Sequence, residues 1–284
     1  PQNESYPQVH HTTFGKVVLF TRYEQFNNKN IRTIWVNKEG VMPYKLVDGG
    51  HYQVSWYDKK SATLFTAYNY HPDGSLDNRA NIFLLKTTDG ENWYNVKNEQ
   101  VASLGNPLPT RSPKSLVYDS EFRGLTIYLK DIITDCDNNL RVLMTESMSH
   151  DPTKGLRQLS ELIISPNGSA GVKTLHRTNH NYSAGAYLYE GCQLYTLSNG
   201  DNGKQYFGGD LILKKLTGGS YILEKEYKDG KNYSYIRRVR GDGMSAVASQ
   251  GSIEIAPNDP NSPTLEGNRI IDSTSSSHVR ISIK

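Results

Sequence analysis

Apolar residues in this chain alternate with polar ones or come in short runs bounded by Gly, Asn, Asp and Pro. A period of two marks half-buried strands. It predicts strands over 16–22, 31–36, 52–57, 63–68, 81–87, 115–118, 125–130 and 141–146. Further strands follow over 185–189, 193–198, 210–214, 221–227, 235–239, 244–248 and 279–283. Over 153–162 a weak helical period appears, and a strand fits that stretch equally well. Many short strands, with turns spaced about 8–12 residues apart, imply a sandwich, a barrel or a propeller.

Internal repeats favour the propeller. Thr87-Thr88-Asp89-Gly90-Glu91-Asn92-Trp93 reads as a short Asp-box, Ser/Thr-x-Asp-Gly-x-x-Trp. In such a hairpin the Asp bonds turn amides, the Gly supplies positive φ, and the Trp packs back on the sheet. Weaker copies stand at Asn37-Lys38-Glu39-Gly40, Ser165-Pro166-Asn167-Gly168 and Lys215-Leu216-Thr217-Gly218. Their spacing suits four-stranded blades of about 50 residues. A second repeated element precedes the first strand of several units: Gly50-His51-Tyr52, His180-Asn181-Tyr182 and Asn232-Tyr233. The expected architecture is an all-β propeller of four-stranded antiparallel blades. About five units are visible, at 14–50, 51–99, 113–175, 180–229 and 232–284, within one domain spanning 1–284.

Composition narrows the partners. The 284 residues carry a net charge of +3, without a basic block or an RNA-binding motif, so no nucleic-acid partner is expected. No run reaches the roughly 18 apolar residues of a membrane span. Tyrosine supplies 19 residues against 7 Phe and 3 Trp, which suits pleated surfaces and sugar clefts alike. The two cysteines, Cys136 and Cys192, fall in adjacent units and are expected as buried free thiols rather than a disulfide. Asp135-Cys136-Asp137-Asn138-Asn139 has the composition of a calcium loop without its glycine or distal Glu, and reads as a hairpin turn. No metal-ligating set is identified. His10-His11 would diverge on a strand and is expected in solvent.

Several strings carry a resemblance. They are Tyr6-Pro7-Gln8 with Leu19-Phe20-Thr21-Arg22-Tyr23, Gly50-His51-Tyr52-Gln53-Val54-Ser55, and Ala67-Tyr68-Asn69-Tyr70-His71-Pro72 running into Leu76-Asp77-Asn78-Arg79-Ala80-Asn81-Ile82. His180-Asn181-Tyr182 and Tyr235-Ile236-Arg237-Arg238 continue the pattern. The chain resembles the BNR (Asp-box) repeat proteins of bacterial polysaccharide-utilisation systems. That family is related to rhamnose–glucuronate lyases and exo-α-L-rhamnosidases on seven-bladed propellers and, more distantly, to ulvan lyases. Family members carry further N-terminal blades, with the catalytic histidine, ahead of the Tyr-Pro-Gln segment, so the resemblance implies either a shortened relative or an N-terminal part absent from this chain. It also implies a secreted or periplasmic bacterial enzyme acting on an acidic polysaccharide or oligosaccharide. It requires no cofactor and leaves room for a structural calcium that nothing in the sequence locates. The sequons at Asn181 and Asn232 fall within the motifs expected at the cleft, which fits a bacterial origin.

The residues repeated at the expected channel face are His, Tyr and Arg rather than the paired carboxylates of most glycosidases. Elimination at a uronate needs a cation to neutralise the carboxylate, a base for the C5 proton and an acid for the leaving oxygen. Arg suits the first role and His or Tyr the others. His51, His180 and Tyr182 are the expected catalytic residues, with Arg22, His71, Tyr233 and Arg237 binding substrate. Arg79 reads as one half of an inter-blade ion pair. The expected reaction is cleavage of a rhamnose–uronate linkage by β-elimination or histidine-dependent hydrolysis. A non-catalytic sugar-binding propeller is the alternative.

Overall fold

The computed structural model describes residues 4–216 except 27–28, 51, 73, 76, 152–153, 179, 184, 191 and 200–210. Beyond these it describes five short segments, 220–222, 226–228, 231–233, 265–267 and 279–281. The described chain is built from successive antiparallel meanders. The first sheet is β1 (Glu4–Thr12), β2 (Gly15–Phe26), β3 (Lys29–Lys38) and β4 (Tyr44–Asp48). The second is β5 (Gln53–Asp58), β6 (Thr63–Tyr70), β7 (Ala80–Thr87), β8 (Asn92–Tyr94) and β9 (Gln100–Ser103). Two short strands extend these sheets: β10 (Leu108–Pro109) runs parallel to β4, and β11 (Leu116–Tyr118) pairs with β7. The third sheet is β12 (Thr126–Thr134), β13 (Leu140–Ser147), β14 (Arg157–Ile164) and β15 (Ala170–Arg177). The fourth is β16 (Gly185–Glu190), β17 (Gln193–Asn199), β18 (Leu211–Lys215) and β19 (Ser220–Ile222).

The first strands of the four sheets lie side by side, β1 against β5, β5 against β12 and β12 against β16. Apolar faces meet between neighbouring sheets. Leu19, Ile34 and Val36 pack with Leu64, Tyr68 and Leu85 between the first two. Val54, Ala67 and Leu84 meet Ile127, Val142 and Leu162 between the next two. Leu143 and Leu159 meet Tyr187 and Leu194 between the last two. Strands covered on both faces, such as β6, β7 and β12, are therefore buried along nearly their whole length. The outer strand β15 is largely exposed, with Leu175 alone buried.

Several sequence expectations shift. The first sheet begins at Glu4 rather than 14, because β1 was hidden by its polar composition. Its inward residues bond the neighbouring strand instead of packing against it. The Gln8 amide donates to the Gln53 carbonyl at 2.8 Å, and its oxygen accepts the Ser55 amide at 2.6 Å. His10 is buried, with Nε2 at 2.7 Å from Ser55 Oγ, while His11 is exposed. Within the ambiguous 153–162 stretch, residues from Arg157 onward form the strand β14 (Arg157–Ile164). The second, third and fourth units span 53–103, 126–177 and 185–222. Of the expected fifth unit, only the backbones of 232–233, 265–267 and 279–281 are described.

The expected thiols form a disulfide, Cys136–Cys192. The β12–β13 and β16–β17 hairpins end side by side, bringing the two Cα atoms to 5.5 Å. Asp135–Asn139 is the expected hairpin turn, with Asn138 at φ +62°.

The Asp-box forms as its chemistry requires. Asp89 Oδ1 accepts the amides of Glu91 and Asn92 at 2.8 Å each, and Gly90 has φ +74°. A Cβ on Gly90 would also meet the Phe14 ring at 3.2 Å. Trp93 is fully buried and donates its indole N–H to the Tyr44 hydroxyl at 2.8 Å, fastening the second sheet to the first.

Candidate functional site

The starts of β1, β5 and β12, and the segment before β16, converge at one end of the sheets. At their centre is Arg79, buried just before β7. Its guanidinium carbon lies over three tyrosine rings: Tyr52 at 4.0 Å, Tyr128 at 4.3 Å and Tyr182 at 5.0 Å. Tyr52 and Tyr182 occupy equivalent places in the repeated element before a first strand, so that repeat does ring a common point. The Arg79 backbone is fixed by its carbonyl, which accepts the Ile127 amide at 2.7 Å. Asn69 joins the same elements, accepting the Tyr52 amide at 3.1 Å and donating to the Ile127 carbonyl at 3.0 Å.

Tyr182 carries the most chemistry. Its hydroxyl accepts from Arg79 Nη2 at 2.7 Å and donates to Asp77 Oδ1 at 2.9 Å. Burial, and less strongly the Asp77 hydrogen bond, push its phenol well above the ordinary tyrosine range, while Arg79 opposes the shift. The phenol is therefore protonated at neutral pH. His180 stacks on Tyr182 with ring centroids 5.5 Å apart, and its Nδ1 accepts the Tyr182 amide at 3.0 Å. An accepting Nδ1 puts the proton of the neutral ring on Nε2. Burial, then the charges of Arg157 and Lys130, hold His180 down to about 4, so the ring is neutral near pH 7.

Two further cations line this end. Lys130, on β12, donates to the Asn181 carbonyl at 2.7 Å. Burial, reinforced by Arg79, brings its ammonium down to about 7. Arg157 opens β14 and donates to the carbonyls of Gly155 at 2.8 Å and Asp151 at 2.6 Å. Asp131 is occupied structurally, accepting the Tyr187 amide at 2.8 Å and so tying β12 to β16. The local charge is thus strongly positive around Asp77.

Of the expected site residues, the structure brings together His180 and Tyr182. His71 stands half-buried just beyond β6. Arg22 pairs with Glu4 at 2.7 Å and lies over Trp35 at 4.1 Å. It therefore sits on the face of the first sheet opposite Arg32, which pairs across the strands with Tyr23. His51 and Arg237 lie outside the described residues, and Tyr233 is described only by its backbone in a short strand, Lys231–Tyr233. Arg79, expected in an inter-blade contact, stands at the tyrosine-stacked centre of the group. Tyr128, Lys130 and Arg157 were missed. Their signal was available as a Tyr-x-Lys pair and a lone Arg within strands otherwise reading as buried. Among the described residues no group of three or more His, Cys, Asp or Glu forms a metal site.

No protein-family model and no curated protein matches this sequence. Solved structures do. A polysaccharide lyase of family PL25, an ulvan lyase bound to -[GlcA(1-4)Rha3S]-, aligns at TM-score 0.52 and 12% identity. The alignment covers 75% of this chain and 52% of that one. A Hadza microbial sialidase aligns at TM-score 0.50 and 11% identity, over 78% of this chain and 46% of its own. The chain thus spans about half the length of these structures. At these identities the likeness concerns the fold, which is all-β, built of antiparallel four-strand sheets, and of the propeller type found in carbohydrate-active enzymes. The disulfide is compatible with secretion. Among the described residues no helix is long and apolar enough to cross a membrane.

Proposed function

We propose that this protein is a carbohydrate-active enzyme that cleaves a rhamnose–uronate type linkage in an acidic polysaccharide by β-elimination. The observation carrying this reading is the Arg79–Tyr182–Asp77 chain of hydrogen bonds, set among three tyrosine rings. The uronate carboxylate docks against Arg79, whose fork matches it bidentately. Neutralising that carboxylate acidifies the proton at C5. Tyr182 takes the C5 proton as its own moves to Asp77, the electron pair forms the C4–C5 double bond, and the C4–O bond breaks. The leaving oxygen takes the proton that Tyr182 has received from C5, with His180 Nε2–H as a hydrogen-bond donor to it, and Tyr182 recovers its own proton from Asp77. The tyrosine faces supply the apolar platforms on which sugar rings stack.

Incubation with rhamnose- and uronate-containing polysaccharides tests this reading. Ultraviolet absorbance from an unsaturated uronate, rising in step with new reducing ends, is the expected result. Reducing ends without absorbance would replace elimination with histidine-dependent hydrolysis. Tight binding with neither product would make the protein a sugar-binding propeller.

A further inference from the structure

Arg32 lies on β3, only 7% exposed, and belongs to none of the chemistry above. Its guanidinium carbon sits over three more tyrosine rings: Tyr23 at 4.3 Å, Tyr52 at 4.9 Å and Tyr6 at 5.0 Å. Its hydrogen-bond partners are hydroxyls, those of Thr21 and Tyr23. Its Nε has no partner among the described residues, and no described carboxylate pairs with it. A buried cation without a counter-charge is costly, and a purely structural role would be filled more cheaply by an apolar side chain.

Tyr6 adds an independent observation. It sits where the β1–β2 register shifts between Ser5 and Gln8, and it holds φ +55°, a conformation strained for a residue with a bulky side chain. The strain places its ring edge-on to Tyr52, centroids 4.8 Å apart, and across Arg32, while leaving it 48% exposed. Tyr6 is thus the solvent-facing cover of Arg32. Tyr52 shares its ring with both Arg32 and Arg79, so the two guanidinium groups stand one aromatic ring apart, a separation that neighbouring sugars of a chain can span.

We propose that Arg32, covered by Tyr6, forms a second anion subsite beside Arg79 that receives a sulfate on the adjacent sugar, or a carboxylate on the next uronate, of the same oligosaccharide. This rests on the acidic-saccharide reading of the Arg79 site. The ligand carries two negative groups, one for each arginine, and Tyr6 swings or tilts outward to admit the second.

Titration calorimetry with three probes tests the proposal. They are a rhamnose–glucuronate disaccharide with one carboxylate, the corresponding tetrasaccharide with two, and a disaccharide with one carboxylate and one rhamnose sulfate. The native protein should bind at least one of the dianionic probes about ten-fold or more tightly than the monoanionic disaccharide. Preference for the tetrasaccharide identifies a second carboxylate as the ligand, and preference for the sulfated probe identifies a sulfate. Arg32→Gln should abolish that preference while the melting temperature holds or rises. Arg32→Lys, which keeps the charge and loses the fork, should recover part of it. A native protein that binds the disaccharide without preferring either dianionic probe would overturn the subsite and leave the Arg79 reading standing. An Arg32→Gln protein that melts several degrees lower yet keeps the preference would make Arg32 structural. Absence of binding to all three probes would overturn both readings.

Discussion

Two groups of cations, one at each end of the described sheets, meet opposite surroundings. At the hairpin-tip end, cations meet carboxylates. Arg141 pairs with Asp135 at 2.7 Å and Glu161 at 3.0 Å, and Lys38 pairs with Glu91. The Asp-box and the Cys136–Cys192 disulfide lie at this end as well, and Lys60 bonds Asn138 across two sheets at 2.9 Å. At the opposite end Arg32, Lys130 and Arg157 have no ion pair among the described residues, and Arg79 lies in a ring of tyrosines. The first group of cations is neutralised by carboxylates of the chain. The second meets hydroxyls, carbonyls and aromatic faces, the surroundings on which the proposed anion site rests.

The largest expected effect breaks the stitched end. Trp93→Ala removes a fully buried indole and its bond to Tyr44, and should cost about 3–5 kcal/mol in denaturant unfolding. Cys136→Ser with Cys192→Ser should cost about 2–4 kcal/mol by the same measurement, since the bridge closes a loop between residues 56 apart. Saccharide affinity of the folded double variant should stay native, because the bridge is remote from Arg79.

The cationic end should respond in the reverse sense. Arg79→Gln should weaken binding of uronate oligosaccharides by on the order of a hundred-fold in calorimetry, with a small change in stability. Stability lost in proportion to affinity would erase the distinction between the ends. Lys130 gives the smallest and most specific signal. Its folded-state value is lowered to about 7, below that of the unfolded chain, so the unfolded state binds more protons between about pH 7 and the ordinary lysine range. Stability should therefore rise with pH across that window, by at most about 1.4 kcal/mol per pH unit. Lys130→Met should flatten the rise, measured as urea midpoints from neutral to alkaline pH.

Much of the fold was legible because the sheets obey period-two patterning and because the Asp-box is a local device whose donors, acceptor and indole lie within seven residues, Thr87–Trp93. The strand β1 was not, since Gln8 and His10 point inward for hydrogen bonding rather than for apolar burial. The disulfide was not, since 56 residues separate the cysteines and only the stacking of hairpin tips brings them together. Within the candidate site, the repeated Tyr before a first strand marked Tyr52 and Tyr182, which do stack on the same arginine. Arg79 stood in a recognised string, but the aromatic faces around it were not legible, because sequence places a charge without showing which rings meet it. Lys130 and Arg32 were legible in principle as single cations inside buried strands, a pattern that burial cost makes informative.

The most direct test of the account is calorimetric binding of a rhamnose–glucuronate tetrasaccharide alongside the same tetrasaccharide with its carboxylates reduced to alcohols. If the tyrosine-lined end is an acid-reading site, reduction should weaken binding by at least about ten-fold, because the charge-assisted bonds to Arg79 are lost while sugar stacking remains. Equal affinity for the two ligands, or none for either, would contradict it.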